Sequence, residues 1–376
     1  NGYGNEADGY APAVVPPGWD RWFGLIDPST LNYFGFEVLD DGERRFIEDT
    51  DANYQTDVLA DRAVADVEAL TAEGTPFYLN IGVLAPHSGT GRGLPIVEKS
   101  NGASMELKVA AVPAPRHAGL FADATFPRTE AFFEPDMDDK PPEIRETRDR
   151  VDQMVADQGM ADVDVETLVD VTYRSRLQSL QAADDLVERV VLALEEAGQL
   201  DNTVVVFTSD NGWLLGEHGL MFAKVLLYEE SIRVPLVVRG PGFPAGRVAT
   251  QPTANVDLTP TFLELADASA PWPTDGQSLL PLAADPTAGV DRALLLHARW
   301  EHIDARGIRL AGWSYVRYAS GSVELYDLFN DPLQLENQAG NALYAGVQAR
   351  LDEALDVLVE CAGPTCAGTV PGNELR

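Results

Sequence analysis

The tetrapeptide Ser209-Asp210-Asn211-Gly212 ends an apolar run and is followed by Gly216-Glu217-His218-Gly219, Lys224 and Tyr228-Glu229-Glu230-Ser231. Asp210 and Asn211 bring two hard side-chain oxygens to one point, the ligand type that Ca²⁺ or Mg²⁺ takes. The same tetrapeptide is also a good turn, because Asn, Asp and Gly all favour turns. A further polar group, His87, ends a second apolar run through Ala85-Pro86-His87. Two apolar runs, each delivering polar groups at its carboxyl end, are the arrangement by which open α/β sheets collect ligands.

The elements that must place these groups follow from periodicity. Thr203 to Phe207 is a short apolar run bounded by turn residues, the pattern of a strand buried on both faces of a parallel sheet. Pro76 to Leu84 reads as a second buried strand. Each is preceded by a helix. Ala60, Ala63, Val64, Val67 and Leu70 lie at helical spacing between Thr56 and Leu70, closed by Gly74. Leu177, Leu180, Val187, Val191 and Leu194 make a stripe along Tyr173 to Ala197, closed by Gly198. Two helix–strand units in succession argue for α/β with a largely parallel sheet.

Around these units, residues 1–35 read as irregular structure with aromatic anchors such as Trp19 and Trp22, and residues 36–48 as a hairpin. Residues 89–150 carry little periodicity and read as excursions forming a substrate wall, with Asp136 to Asp139 a solvated turn. Val234 to Val238 is a strand, and Thr259-Pro260 starts a helix with proline at the first position. Residues 269–290 are rich in Pro, Asp and Gly, which places a boundary between a domain at 1–285 and one at 286–376. In the second, short strands at 293–297, 313–318 and 323–328 and a helix at 343–358 predict a small antiparallel sheet with a C-terminal helix.

The net charge of −33 argues against nucleic acid as a partner, which needs clustered Lys and Arg. No apolar run is long enough to span a bilayer as a helix. The sequence begins at Asn1 and shows no charged-then-apolar leader, so the expectation is a processed chain or part of a longer one. The only cysteines, Cys361 and Cys366, are spaced as a small disulfide loop of an exported protein, with two free thiols as the alternative.

The ordered run of Asp210-Asn211-Gly212, Gly216-Glu217-His218, Lys224 and Tyr228-Glu229-Glu230-Ser231-Ile232-Arg233-Val234-Pro235 resembles the sulfatase family, the formylglycine-dependent branch of the alkaline-phosphatase superfamily. Glu324-Leu-Tyr-Asp-Leu328 and the following Asp-Pro segment resemble that family's C-terminal subdomain. The resemblance implies an alkaline-phosphatase-like sandwich, and sulfate-ester hydrolysis on a sulfated sugar or aryl sulfate. Asp210 and Asn211 match ligands of a Ca²⁺ (Mg²⁺ the alternative). Lys224 matches the lysine that contacts sulfate, and His87 the histidine that donates to the sulfate or leaving oxygen. His218 is either close support for the site or structural. Arg116 and His117 read as loop residues, with substrate contact the alternative. Glu229, Glu230 and Arg233 are expected to organise their turn through charge pairs. Pro115 to Gly119 and the cysteine pair are most similar to the N-acetylglucosamine-6-sulfatase group. Phosphonate or phosphate monoester hydrolysis on the same scaffold, and a non-catalytic carbohydrate-binding or scaffold role, are the rival readings.

The family also uses an N-terminal Cys-x-Pro-Ser-Arg-type motif, whose Cys or Ser becomes the formylglycine nucleophile, and an early Asp-Asp pair that completes the metal site. This sequence has no Cys-x-Pro-Ser-Arg-type motif, and the resemblance matches that Asp-Asp pair to none of its residues. The expectation is therefore half a metal site, no nucleophile in this chain, N-terminal strands missing from the sheet, and little activity alone. The missing segment belongs either to the same gene product or to a separate chain, unless the chain is a degenerate relative. Export is implied by family habit.

Overall fold

The computed structural model describes residues 3–285, 291–368 and 370. The chain divides into two compact units, Asn1–Pro127 with Ala156–Thr203, and Arg128–Val155 with Val204–Arg376. The expected domain boundary after residue 285 falls on residues 286–290, which lie outside the described residues.

In the first unit, β1 (Phe23–Ile26), β2 (Phe36–Asp40) and β3 (Glu43–Ile47) form an antiparallel sheet in that order. The β2–β3 hairpin is the one expected at 36–48. Its Asp41-Gly42 turn has both residues in left-handed backbone, φ +47° and +95°, the turn whose twist matches paired strands. Trp19 and Trp22 pack ring against ring at 5.7 Å, anchoring the segment ahead of the sheet. Helix α1 (Gln55–Glu73) closes on Gly74 at φ +70°, as the sequence predicts. A small hairpin, β4 (Ile96–Glu98) with β5 (Ser104–Glu106), follows. Helix α2 (Pro142–Asp157) belongs mostly to the second unit, and α3 (Val165–Glu196) returns to the first.

Helix α3 starts earlier than Tyr173 because Asp164 caps it, its carboxylate accepting from the Thr167 N–H at 2.9 Å. Its fully buried residues include Thr172, Ser175, Ser179, Ala182 and Ala183, while Leu177, Leu180, Val187 and Val191 are half-buried. Small side chains let α1, with Ala60 and Ala63 buried, approach α3 closely.

One expectation in this unit fails. Pro76 to Leu84 is extended but pairs with no strand among the described residues. Phe77, Leu79, Ile81 and Val83 are half-buried, whereas Tyr78, Asn80 and Gly82 are exposed. Ile81 and Val83 pack on Leu59, Ala60 and Leu186 of α1 and α3. The segment keeps the period of two of a strand, with one face on the helices and the other open.

In the second unit, β6 (Val205–Thr208) pairs antiparallel with β9 (Leu236–Arg239), from Val205 opposite Arg239 to Thr208 opposite Leu236. Strand β6 is thus neither in a parallel pair among the described residues nor buried on both faces: its Phe207 is 39% exposed, and Val237 opposite it on β9 is 61% exposed. An apolar run records which residues avoid water, but not which strand lies beside them. All named strand pairs among the described residues are antiparallel, and the parallel contact is the isolated bridge Asn32–Thr90.

Between β6 and β9 run β7 (Leu214–Leu215), β8 (Met221–Ala223) and the short α4 (Glu229–Ile232). Helices α5 (Leu258–Leu265) and α6 (Leu280–Ala284) follow. The α/β class holds, as do the C-terminal antiparallel sheet and helix. The sheet is β10 (Leu294–Trp300), β11 (Ile303–Arg309), β12 (Trp313–Tyr318) and β13 (Val323–Asp327), with α7 (Ala345–Val359) after it. One face packs Val316, Tyr318 and Tyr326 against Leu226, Leu227 and Tyr228. The other packs Ile308, Trp313 and Leu325 against Leu351, Leu355 and Leu358 of α7. Fully burying each such Leu is worth about 1.5–3 kcal/mol, so this sheet is a core layer. Cys361 and Cys366 form the expected disulfide.

Candidate functional site

Past the end of β6 the chain turns sharply and is stapled to α4. Gly212 N–H donates to the Ser231 carbonyl at 2.8 Å and Trp213 N–H to the Glu230 carbonyl at 2.8 Å. A Cβ on Gly212 would lie 2.0 Å from the Glu230 carbonyl oxygen, so only glycine allows this approach. The Asp-Asn-Gly and Tyr-Glu-Glu-Ser motifs are thus the two sides of one backbone contact.

That contact sets the polar groups. One Asp210 oxygen accepts from the Asn211 N–H at 2.9 Å, and the Asn211 amide nitrogen donates to the Gly212 carbonyl at 2.9 Å. The second Asp210 oxygen and the Asn211 amide oxygen have no partner among the described residues. Asp210 is exposed and Asn211 half-buried. Ser209 is fixed from outside, its carbonyl accepting from the Asn255 amide at 2.9 Å. Lys224 is half-buried, its ammonium 5.8 Å from the centre of the Trp213 ring, within reach of a cation–π contact. It makes no ion pair among the described residues. Strain concentrates in the loop that presents it: His218, Phe222 and Val225 have φ of +53°, +59° and +78°. For a branched residue such as Val225 this is an outlier, and such strain gathers where structure serves function.

His218 is fully buried. Its Nδ1 lies 2.7 Å from the Glu134 carboxylate, which can only accept, so Nδ1 carries the proton. Its ring stacks on Tyr228 at 4.2 Å, and Nε2 is buried without a partner among the described residues. Glu134 also receives the fully buried Lys140 ammonium at 3.1 Å. Lys140 donates further to Asp139 at 3.2 Å and to the Leu335 carbonyl at 2.5 Å. Asp139 accepts from the Asn337 N–H at 2.6 Å, so the acidic cluster at 136–139 is partly a structural joint and not only a solvated turn. Beneath the histidine, the buried Glu324 carboxylate accepts three tyrosine hydroxyls, Tyr228 at 2.6 Å, Tyr318 at 2.6 Å and Tyr326 at 2.7 Å. Burial, with Glu324 beside it, drives the Tyr228 hydroxyl well above its ordinary pKa.

Burial also raises the Glu217 carboxyl above its ordinary pKa, although backbone N–H groups oppose this. Burial raises Glu230 in the same way. Glu229 makes its charge pair outside its own turn, holding Arg309 of β11 through two bonds at 2.6 Å and 3.0 Å.

In the first unit, His87 is half-buried. Its backbone carbonyl accepts the Tyr33 hydroxyl at 2.7 Å. Its Nδ1 lies 2.8 Å from the Ser88 carbonyl. Because a carbonyl only accepts, Nδ1 holds the proton and a neutral ring leaves Nε2 an acceptor. Arg116 is taken up by Asp57, at 2.6 Å and 2.7 Å, and by Asp185 at 2.6 Å. His117 Nε2 lies 2.8 Å from the same Asp185.

The structure therefore places Asp210 and Asn211 at the end of β6 and Lys224 over the ring of Trp213, all in the second unit, with His218 buried in that unit. It places His87, Arg116 and His117 in the first unit. Sequence reading missed Trp213, Glu134 and Lys140. Trp213 adjoins the motif and was open to notice. Glu134 and Lys140 stand in no motif, and nothing local marks a charge as buried.

Two oxygens are a partial match to a Ca²⁺ site, which takes about 6–8 oxygen ligands. Among the described residues no group of three or more His, Cys, Asp or Glu is placed to hold a metal ion. Both cysteines are in the disulfide, so neither is a nucleophile.

The sequence profile described as Sulfatase matches residues 9–268, and that described as N-sulphoglucosamine sulphohydrolase, C-terminal, matches residues 216–360. An arylsulfatase of Volvox carteri is 32% identical, the match covering 94% of this chain and 58% of that protein. An N-acetylglucosamine-6-sulfatase of Bos taurus is 28% identical, covering 94% of this chain and 63% of that protein. A solved structure of a protein in complex with its substrate D-glucosamine-2-N,6-O-disulfate superimposes with a TM-score of 0.75 at 25% identity, over 91% of this chain and 76% of that one. A phosphonate monoester hydrolase of Silicibacter pomeroyi, at 22% identity and a TM-score of 0.68 over 96% of this chain and 68% of that one, shares the fold. The chain spans 58% and 52% of the arylsulfatases of Volvox carteri and Chlamydomonas reinhardtii. With the profile covering well over half of its residues, the chain belongs to the sulfatase family.

Proposed function

We propose that this chain supplies part of the active site of a sulfuric ester hydrolase that acts on a sulfated carbohydrate, with the 6-sulfate of N-acetylglucosamine as the specific substrate. The observation that carries the reading is the end of β6. Among the described residues, two oxygens of Asp210 and Asn211 have no protein partner, and the Lys224 ammonium over the adjoining Trp213 has no ion pair. Oxygens of this kind suit Ca²⁺, with Mg²⁺ the alternative. A bound divalent cation polarises ester oxygens.

Lys224 stabilises the negative charge of the sulfate group and of the transition state. His87 donates a proton to the leaving oxygen. With Nδ1 committed to Ser88, that donation needs the imidazolium, whose Nε2 carries the second proton. The remaining metal oxygens and the formylglycine nucleophile come from an N-terminal segment, in the same gene product or as a separate chain. The disulfide and the relatives described as extracellular sulfatases support an exported protein, since such bonds persist in oxidising compartments.

The test is hydrolysis of N-acetylglucosamine 6-sulfate and of 4-nitrophenyl sulfate by the full-length protein, with and without Lys224→Ala. The expected result is sulfate release that falls by about 10²–10³-fold in kcat/KM in the variant and is lost on chelation. Turnover that ignores Lys224→Ala would overturn the reading. Faster hydrolysis of a phenylphosphonate monoester would move the assignment to the phosphonate class. Release from neither ester class would favour a non-catalytic role.

A further inference from the structure

A cleft of about 670 Å³ opens in the second unit between the end of α5 and the loop at 270–277. None of the candidate site residues lines it. Its wall carries Trp272, Glu264, Asp267, Thr274 and Gln277. Trp272 is 71% exposed, a large apolar surface to leave in water beside a cavity. The side chains of the other four hold no hydrogen bond among the described residues.

The walls are braced before any ligand arrives. Asp257, fully buried, accepts the Arg292 guanidinium at 2.6 Å and 2.7 Å and the Gln277 N–H at 2.8 Å. The Thr261 hydroxyl takes the Leu279 N–H at 2.9 Å. On the far wall, the Gly363 N–H donates to Asp275 at 2.6 Å, and a Cβ there would meet the Pro273 ring at 2.6 Å. The disulfide closes that wall, which contributes Pro364 and Ala367 to the lining. A rigid wall lowers the ordering cost of binding.

The chemistry of the lining selects the ligand. The volume lies within the about 300–1,000 Å³ of small-molecule sites. Among the described residues no Lys or Arg lines the cleft and two carboxylates do, so sulfated or phosphorylated groups are repelled. Cages for quaternary ammonium and grooves for proline-rich peptides use several aromatic rings, and among the described lining residues Trp272 is the one ring. A pyranose ring has one apolar C–H face and a rim of hydroxyl donors. One indole plate with carboxylate and amide acceptors around it matches that pattern.

We propose that this cleft binds an uncharged oligosaccharide, one pyranose ring lying on Trp272 and its hydroxyls donating to Glu264, Asp267 and Gln277. The class of ligand follows from this lining and does not depend on the sulfate-ester reading.

The experiment is calorimetric titration of the full-length protein with cellohexaose, maltohexaose and mannohexaose, and with a heparin hexasaccharide and chitosan hexamer as charged probes. At least one neutral hexasaccharide is expected to bind saturably. Trp272→Ala weakens it at least 10-fold while hydrolysis of 4-nitrophenyl sulfate stays unchanged, and Lys224→Ala leaves the affinity as it was. Glu264→Arg, on an exposed helix position, weakens binding too and serves if the tryptophan variant folds poorly. Binding of none of the neutral probes, preference for a charged one, or affinity indifferent to both cleft variants would overturn the proposal.

Discussion

His117 and His218 each hold a carboxylate at hydrogen-bond distance, 2.8 Å to Asp185 and 2.7 Å to Glu134. The first pair lies at the surface, with the Asp185 side chain 36% exposed, and Asp185 shares its charge with Arg116. The second is enclosed, the His218 side chain 0% and that of Glu134 6% exposed, with buried Lys140 on the same carboxylate. The contacts are alike and the stakes are not. Water replaces a lost partner at Asp185, whereas nothing replaces one inside. A histidine tied to an acid is therefore weak evidence of a reacting group. The loop that presents Lys224 is held by a buried polar joint.

The sharpest way to break this contrast is Glu134→Ala, which leaves buried His218 without its acceptor and takes from buried Lys140 one of its two carboxylates. A loss of about 3–5 kcal/mol in unfolding free energy is expected, read from denaturant midpoints; a loss under about 1 kcal/mol would mean that water reaches the pair. Next is Tyr228→Phe, which takes one of three hydroxyls from the Glu324 carboxylate. Bonds to charged groups are worth about 1.5–3 kcal/mol, and an unchanged midpoint would show that two tyrosines suffice. On the surface, Asp185→Asn should cost below about 1 kcal/mol, and less in strong salt. A cost equal to that of Glu134→Ala would erase the distinction.

The smallest effects lie in pH, and their signs are opposite. At Asp185 burial pushes the carboxyl up, but hydrogen bonds from Arg116 and His117 win and hold it below the ordinary range. Its stabilisation is present above the unfolded pKa of about 3.9 and is lost as pH falls through the lower folded value. At Glu217 burial raises the folded pKa. Its contribution is complete below the unfolded pKa of about 4.3 and is lost as pH rises through the folded value. Glu217→Gln should therefore gain stability at neutral pH and nothing in acid, and Asp185→Asn should lose it at neutral pH and nothing well below pH 3. Parallel pH profiles for the two variants would contradict both assignments.

Much of the fold was legible because its signals are local. The Asp41-Gly42 turn, the Gly74 cap and the period of α7 each need only neighbouring residues. Strand partnership does not, which is why β6 was misread as a buried parallel strand and Pro76 to Leu84 as a paired one. Strand β11 was missed although Ile303, Ala305 and Gly307 alternate with polar residues, because a glycine and two arginines hide the apolar face. In the candidate site, Asp210, Asn211 and Lys224 were legible as an ordered motif. The Glu134–Lys140 joint was not, since its members are distant in sequence from the loop they support and carry charges that read as surface.

The contact at Gly212 has a consequence for genetic screens. A change of this codon to alanine or serine alters no charge and removes no ligand, yet its added carbon cannot fit beside the Glu230 carbonyl, 2.0 Å away. Asp210→Asn does the reverse, keeping shape and removing charge. In a saturation library the two positions form a matched control, one reporting geometry and the other chemistry. A substrate that tolerates one change and not the other would reveal which of the two its turnover depends on.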